Sequence, residues 1–156
     1  MSYKGETKRV QLASGEEVSL RHGLGTFTYK DNSEYHGQWF YNKKHGEGEF
    51  HHYSSNTSYI GEFQHNEMTG KGVKKWINGA IYTGNFHIGH CHGLGNLIYN
   101  NLKINGLFHY NQLHGNATVN YENNDQYIGQ FYHHQLHGKG QYKYNNGASY
   151  NGLLKN

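Results

Sequence analysis

The sequence predicts an all-β repeat protein: a single-layer, elongated antiparallel sheet of stacked β-hairpins, twisted, with an aromatic groove along one face. Three observations lead there. A motif Tyr-x-Gly-x-aromatic recurs at Tyr35, Tyr59, Tyr82 and Tyr127, with a variant at Ile104, so successive units begin 24, 23, 22 and 23 residues apart. A second motif, His-Gly-x-Gly or a close variant, follows each first one: "HGEG", "TGKG", "HGLG", "HGNA" and "HGKG". The composition of the 156 residues, with 22 glycines, 15 tyrosines, no proline and 34% hydrophobic residues, leaves too few aliphatic side chains for a conventional core. The same composition carries too many aromatics for a solvated chain.

Each unit reads as a hairpin when positions are counted from its first residue. Offsets 0, 2 and 4 are usually Tyr, Gly and Trp or Phe; offsets 11 and 13 are glycines; offsets 15 and 17 are mostly apolar. Both runs have the period of two that marks a strand. Between them, offset 7 is Asn42, Asn66, Gly89, Asn111 or His134, residue types that tolerate positive φ in a tight turn. The joints between units ("KDNS", "SSNT", "INGA", "YNNL", "ENND", "NNGA") are turn-rich as well. One 1–156 repeat domain is expected, with units at about 3–34 (stretched by a nine-residue insertion), 35–58, 59–81, 82–103, 104–126 and 127–149, and a half unit at 150–156.

A symmetric inner turn sets opposed offsets to sum to 15. A joint centred on offset 20 then places Trp39 between Gly46 and Gly25, Phe63 between Gly70 and Gly48, Phe86 between Gly93 and Gly72, Phe108 between Gly115 and Gly95, and Phe131 between Gly138 and Ala117. Rings lying flat on a neighbour need positions without Cβ, which explains the glycines without a ligand. In the stretched first hairpin the turn is expected on Gly15, with Val10 facing Leu20 and Leu12 facing Val18. The opposite face reads polar, through residues such as His36, Gln38, Glu62 and Lys71.

Tyr-x-Gly-x-Trp/Phe followed by His-Gly-x-Gly at this spacing resembles the MORN (membrane occupation and recognition nexus) repeat. The resemblance covers about six units and a half strand, with departures at Thr69, Ile104 and Ala117. It implies an elongated hairpin sheet and a role in organising membranes or cytoskeleton, as in membrane-junction proteins, ciliary spoke heads and budding scaffolds. Where such repeats occur in enzymes, a separate domain carries the catalysis.

Candidate chemistry is thin. The Gly-x-Gly pairs enter strands, not helices, so they are not phosphate loops. No catalytic nucleophile arrangement stands out, and no enzyme is expected. His87, His92, His109 and His114, with His137 further on, form a row of imidazoles, and His87, His90, Cys91 and His92 are the metal candidates. A flat sheet projects side chains in parallel, however, so no metal and no cofactor is expected. The single cysteine makes a reducing compartment the default, and basic residues are too scattered for nucleic acid.

The feature that asks for a function is the aromatic face. Its candidate partner groove comprises Tyr35, Trp39, Tyr59, Phe63, Trp76, Tyr82, Phe86, Tyr99, Phe108, Tyr127, Phe131 and Tyr144. So large an apolar face exceeds what a monomer usually leaves bare, and Tyr and Trp are favoured at interaction hot spots. The expected function is a non-catalytic scaffold or adaptor receiving a protein partner's helix or peptide, with no small-molecule substrate. It is placed in the cytoplasm, cytoskeletal or at the membrane periphery. The alternatives are a peripheral module for acidic phospholipid and a self-assembling structural protein that dimerises through its sheet ends, with Lys155 as a guard against such pairing.

Overall fold

The computed structural model describes residues 1–154; Lys155 lies outside them. Antiparallel strands make up two units. The first, Met1–Ile77, holds β1 (Ser2–Gln11), β2 (Glu17–Thr28), β3 (Glu34–Phe40), β4 (Lys43–His52), β5 (Thr57–Gln64) and β6 (Glu67–Lys75). The second begins at Asn78 and holds β7 (Ile81–His87), β8 (His90–Tyr99), β9 (Leu102–His109), β10 (Gln112–Asn120), β11 (Gln126–Tyr132), β12 (Gln135–Lys143) and β13 (Ser149–Leu154). Within each unit every strand pairs with its chain neighbours, as stacked hairpins in one open layer.

The inner turns are of one kind, and most joints are of another, although the joint at Asn100 and Asn101 (φ 45° and 64°) closes as the inner turns do. The inner turns take two residues, both at positive φ: Tyr41 and Asn42 at 46° and 67°, His65 and Asn66 at 52° and 80°, Tyr110 and Asn111 at 47° and 70°. These are type I′ turns, whose twist matches the strands they join. Joints such as Lys30–Asn32 and Glu122–Asn124 take three residues and place Asn32 (φ 63°) or Asn124 (φ 66°) in the left-handed position. The long first hairpin closes in the same way, with Gly15 third in its loop. Its turn is therefore centred on Ser14, and Val10 faces Val18 while Lys8 faces Leu20, not the pairing expected from a turn centred on Gly15.

The inner-turn residue at offset 7 has a second task that its sequence pattern does not reveal. Asn42, Asn66 and Asn111 each accept a backbone N–H of the preceding hairpin on Oδ1, from Arg21, Lys44 and Cys91 respectively, at 2.8–2.9 Å. Each also donates its own backbone N–H to the same residue's carbonyl, at 2.9–3.0 Å. The turn of one repeat is thereby latched to the strand of the one before.

The expected ring-on-glycine register is corrected by a bulge. Gly37 faces Gly48 and Tyr35 faces Phe50, as the offset rule requires, but Trp39 faces Lys44 instead of Gly46. Four residue steps on β4 oppose two on β3, and Gly46 within the bulge takes φ +58°, a conformation that suits glycine. Across the joints the aromatic residue meets the first glycine, not the second: Trp39 faces Gly23, Phe63 faces Gly46, Phe108 faces Gly93 and Phe131 faces Gly115. The second glycines align strand to strand with the glycines of the Tyr-x-Gly motif, as Gly25–Gly37–Gly48–Gly61–Gly72 in the first unit. Over that bare row lie the tyrosines: a Cβ on Gly48 would stand 2.3 Å from the Tyr35 hydroxyl, and one on Gly72 would stand 2.5 Å from that of Tyr59. The two glycines of each motif therefore serve different ends, the first for backbone conformation and the second for a tyrosine ring.

Candidate partner-binding surface

The aromatic face is a ladder of rings packed edge to face. In the first unit Tyr35 meets Trp39 and Phe63 at 5.0 Å each, and Tyr59 meets Phe63 at 5.1 Å. In the second, Tyr82 meets Phe86 at 5.2 Å and Phe108 at 5.0 Å, and Tyr127 meets Phe131 at 5.3 Å. These separations favour T-shaped contacts between ring edge and face. Each tyrosine hydroxyl finds a backbone acceptor three residues on: Tyr35 donates to the Gln38 carbonyl at 2.9 Å, Tyr59 to Glu62 at 3.0 Å and Tyr82 to Asn85 at 3.1 Å. In the unit that begins with Ile104, Leu113, Ala117 and Val119 fill the space instead and are buried.

The face is flanked by cations in the first unit. The Arg21 guanidinium lies 4.3 Å from the Trp39 ring centre and 4.6 Å from that of Phe27. Lys44 Nζ lies 4.9 Å from the Phe50 ring centre and 5.3 Å from that of Phe63. Both occupy offset 9, the position Cys91 and Leu113 take in the second unit. Cys91 is accordingly buried opposite Phe86, not at the hairpin tip where its neighbour His90 sits. Strand alternation turns it to the face away from His90 and His92.

Of the twelve groove candidates, Tyr35, Trp39, Tyr59, Phe63, Tyr82, Phe86, Phe108, Tyr127 and Phe131 are all 6% exposed or less, so the ladder is a core. Trp76 is half-buried, while Tyr99 and Tyr144 are 37% and 46% exposed. These last three share offset 17, at the joint end of the face. Tyr29 in the first unit and Tyr121 in the second occupy the same offset, are half-buried, and extend the row. The sequence carried the signal, an aromatic at a fixed offset, although those two residues were not among the candidates. Tyr29 packs on Phe27 at 4.7 Å; Tyr121 stacks on Tyr142 at 5.8 Å, and Tyr142 meets Tyr144 at 4.7 Å.

Burial pushes the Tyr35, Tyr59 and Tyr82 hydroxyls well above the ordinary tyrosine value. It pushes Tyr142 up to about 12, where the 2.9 Å hydrogen bond to Asp125 adds to it. Unfolded tyrosine titrates near 10.0, so the folded state keeps these protons after the unfolded chain has lost them. Their contribution to stability is complete below about pH 10 and is lost as pH rises through the folded values. Urea midpoints are expected to fall steadily above pH 10, with phenolate absorbance appearing together with unfolding. Early, complete ionisation with the sheet intact would contradict this.

On the reverse face the imidazoles of the second unit make a row. Ring centres lie 5.5 Å apart for His87 and His92, 5.2 Å for His92 and His109, and 6.2 Å for His109 and His114. His137 meets Tyr132 at 5.9 Å. Burial first, then the neighbouring His109 and His87, hold the His92 imidazole below the ordinary histidine value. The reverse face is less polar than its sequence suggests, since Leu24, Ile60 and Leu94 are more than half exposed on it.

A family model described as MORN repeat matches residues 19–34, 35–57, 59–81, 82–102 and 127–149. The chain belongs to the MORN repeat family. The stretch 103–126, which falls between two matched segments, contains Ile104 and Ala117, where this MORN protein lacks both the tyrosine and the second glycine. Among solved structures it is similar to the TCP domain of SAS-4 (dCPAP) of Drosophila melanogaster in complex with a proline-rich motif of Ana2 (dSTIL). The TM-score is 0.52 at 10% identity, covering 96% of this chain and 90% of that one. It is also similar to the TCP10c domain of Drosophila melanogaster Sas-4, with a TM-score of 0.44 at 13% identity, covering 96% of this chain and 100% of that one. The first likeness is one of fold; the second adds nothing to it. Among the described residues no helix is long and apolar enough to cross a membrane.

Proposed function

We propose that this MORN protein is a non-catalytic interaction scaffold or adaptor that takes up a partner's extended peptide or helix along its aromatic face, in a cytoskeletal or membrane-associated assembly of the cytoplasm. The observation that carries the reading is the row of part-exposed rings at offset 17, seated on a buried and hydrogen-bonded ring ladder. Rigid aromatics presented at fixed spacing offer contact area at little entropic cost, which suits recognition of a chain segment. The buried part of the face serves as the floor, and Tyr99, Tyr121 and Tyr144 in the second unit are the rings a partner touches. A protein of similar fold, the SAS-4 TCP domain, is in complex with a proline-rich motif, which supports a peptide as the ligand.

Tyr99→Ala with Tyr144→Ala is expected to lower recovery of the bound partner at least tenfold in affinity purification, with the far-ultraviolet circular dichroism unchanged. Leu94→Ala, on the reverse face, should leave recovery alone. Full recovery by the double variant would sink the aromatic-face reading. Loss of binding from anionic vesicles in place of a protein would favour the acidic-lipid alternative.

A further inference from the structure

The aromatic face of the first unit carries fixed positive charge where that of the second does not. At offset 9 the second unit has Cys91, Leu113 and Leu136, whereas the first has Arg21 on β2 and Lys44 on β4. Each cationic head lies among three rings. The Arg21 guanidinium is 4.3 Å from the Trp39 ring centre, 4.6 Å from that of Phe27 and 6.0 Å from that of Tyr3. Lys44 Nζ is 5.3 Å from the Phe63 ring centre, 4.9 Å from that of Phe50 and 5.6 Å from that of Tyr35. Tyr3 faces Phe27 and Tyr35 faces Phe50, so the second cage is the first moved on by one repeat.

The rings steady these cations without satisfying their hydrogen bonds. Lys44 is half-buried, and its ammonium has no protein acceptor among the described residues. Burial holds its pKa below the ordinary lysine value, against the opposing pull of Glu67. Arg21 gives Nε to the Asn42 Oδ1 at 3.3 Å and Nη2 to the Asn42 carbonyl at 3.0 Å, which leaves Nη1 for a ligand. No carboxylate lies within 4.0 Å of either head among the described residues. The joint acids are engaged elsewhere, Asp31 with Ser33 and Glu34 with Thr28 and Tyr53. A carboxylate would supply the missing acceptors, as charge-assisted hydrogen bonds.

The spacing selects the shape of the partner. One repeat is two strands, so the two heads stand about 9.5 Å apart across the sheet. Residues three apart in a polyproline-II segment share a side and are separated by about 9.3 Å. In a β-strand, side chains on one side recur at about 6.8 Å. On a helix the nearest match is seven residues, about 10.5 Å.

We propose that the first unit reads an acidic, polyproline-II partner segment, with Arg21 and Lys44 each taking one of two carboxylates three residues apart. This rests on the aromatic face being a peptide site. The test titrates the full chain into fluorescein-labelled, proline-based dodecapeptides carrying two glutamates, at neutral pH and low ionic strength, with anisotropy as the readout. Glutamates three apart should bind at least tenfold more tightly than glutamates two apart, or than lysines at the same places. Arg21→Gln with Lys44→Gln should remove that preference while the circular dichroism holds, and Lys71→Gln on the reverse face should not. Lys44→Glu should regain binding to a peptide in which one of the two glutamates is lysine, a rescue that only direct contact gives. Equal binding at all spacings, tighter binding of a helical peptide with glutamates seven apart, or no rescue would overturn the proposal. Partner recovery that falls in the Tyr99/Tyr144 variant but holds in the Arg21/Lys44 variant would overturn it too, and would leave the aromatic-face reading standing.

Discussion

Gly48→Ala is expected to destabilise the protein by about 3 kcal/mol, the upper end for overfilling a packed interior. The new Cβ would lie 2.3 Å from the Tyr35 hydroxyl oxygen, 2.5 Å from Cε2 and 2.6 Å from Cζ. The ring cannot step aside. It is fully buried, held by its hydrogen bond to the Gln38 carbonyl, and edge-packed on Trp39 and Phe63. The protein contains its own control. In the unit that begins with Ile104 no tyrosine covers the glycine row, and Ala117 stands there, 6% exposed. Tyr35→Ile and Gly48→Ala together should therefore lose about 1–2 kcal/mol less than the sum of the two single changes. Urea unfolding of the four chains measures this coupling. Strictly additive losses would mean that the second glycine answers to something other than the tyrosine.

Trp39→Ala should cost about 4 kcal/mol, as truncation of a buried large aromatic does. The indole is 4% exposed, sits edge-on to Tyr35 at 5.0 Å and to Tyr3 at 5.7 Å, and donates Nε1–H to the Gly25 carbonyl at 3.0 Å. Its removal also takes the ring from under the Arg21 guanidinium. Trp39→Phe keeps most of the ring contact and loses the hydrogen bond, so a loss of about 1 kcal/mol is expected from it. Chemical denaturation of both variants decides the matter. Equal losses would place the weight on the Nε1–H bond; a loss under about 1 kcal/mol for alanine would deny that the ladder is the core.

Much of this was legible in the chain. The hairpins follow from period-two runs between turn-forming residues, and the left-handed residues at Asn42, Asn66, Gly89, Asn111 and His134 stand where the pattern puts them. Even the face assignment survives the bulge, because two extra steps on the second strand preserve the alternation of side chains. The same parity places Cys91 with Gly93 and Gly95, a signal available from its offset. The Asn latches were not legible, because a turn asparagine that only tolerates positive φ looks the same as one that also bonds the preceding hairpin.

By itself, then, the sequence determined the repeat, the hairpin, the turn positions and which residues share a face, since each of these depends on contacts or dihedrals a few residues apart. Only the tertiary structure decided which glycine takes the bulge and which carries the tyrosine, since a Gly-x-Gly pair is equally permissive at both places. It also decided which rings are floor and which are rim. That depends on how neighbouring hairpins lay their side chains over one another: Tyr82 is covered by Phe86 and Phe108 until nothing of it is exposed, while Tyr99, an aromatic on the same face of the same repeat, is left 37% exposed at the joint end.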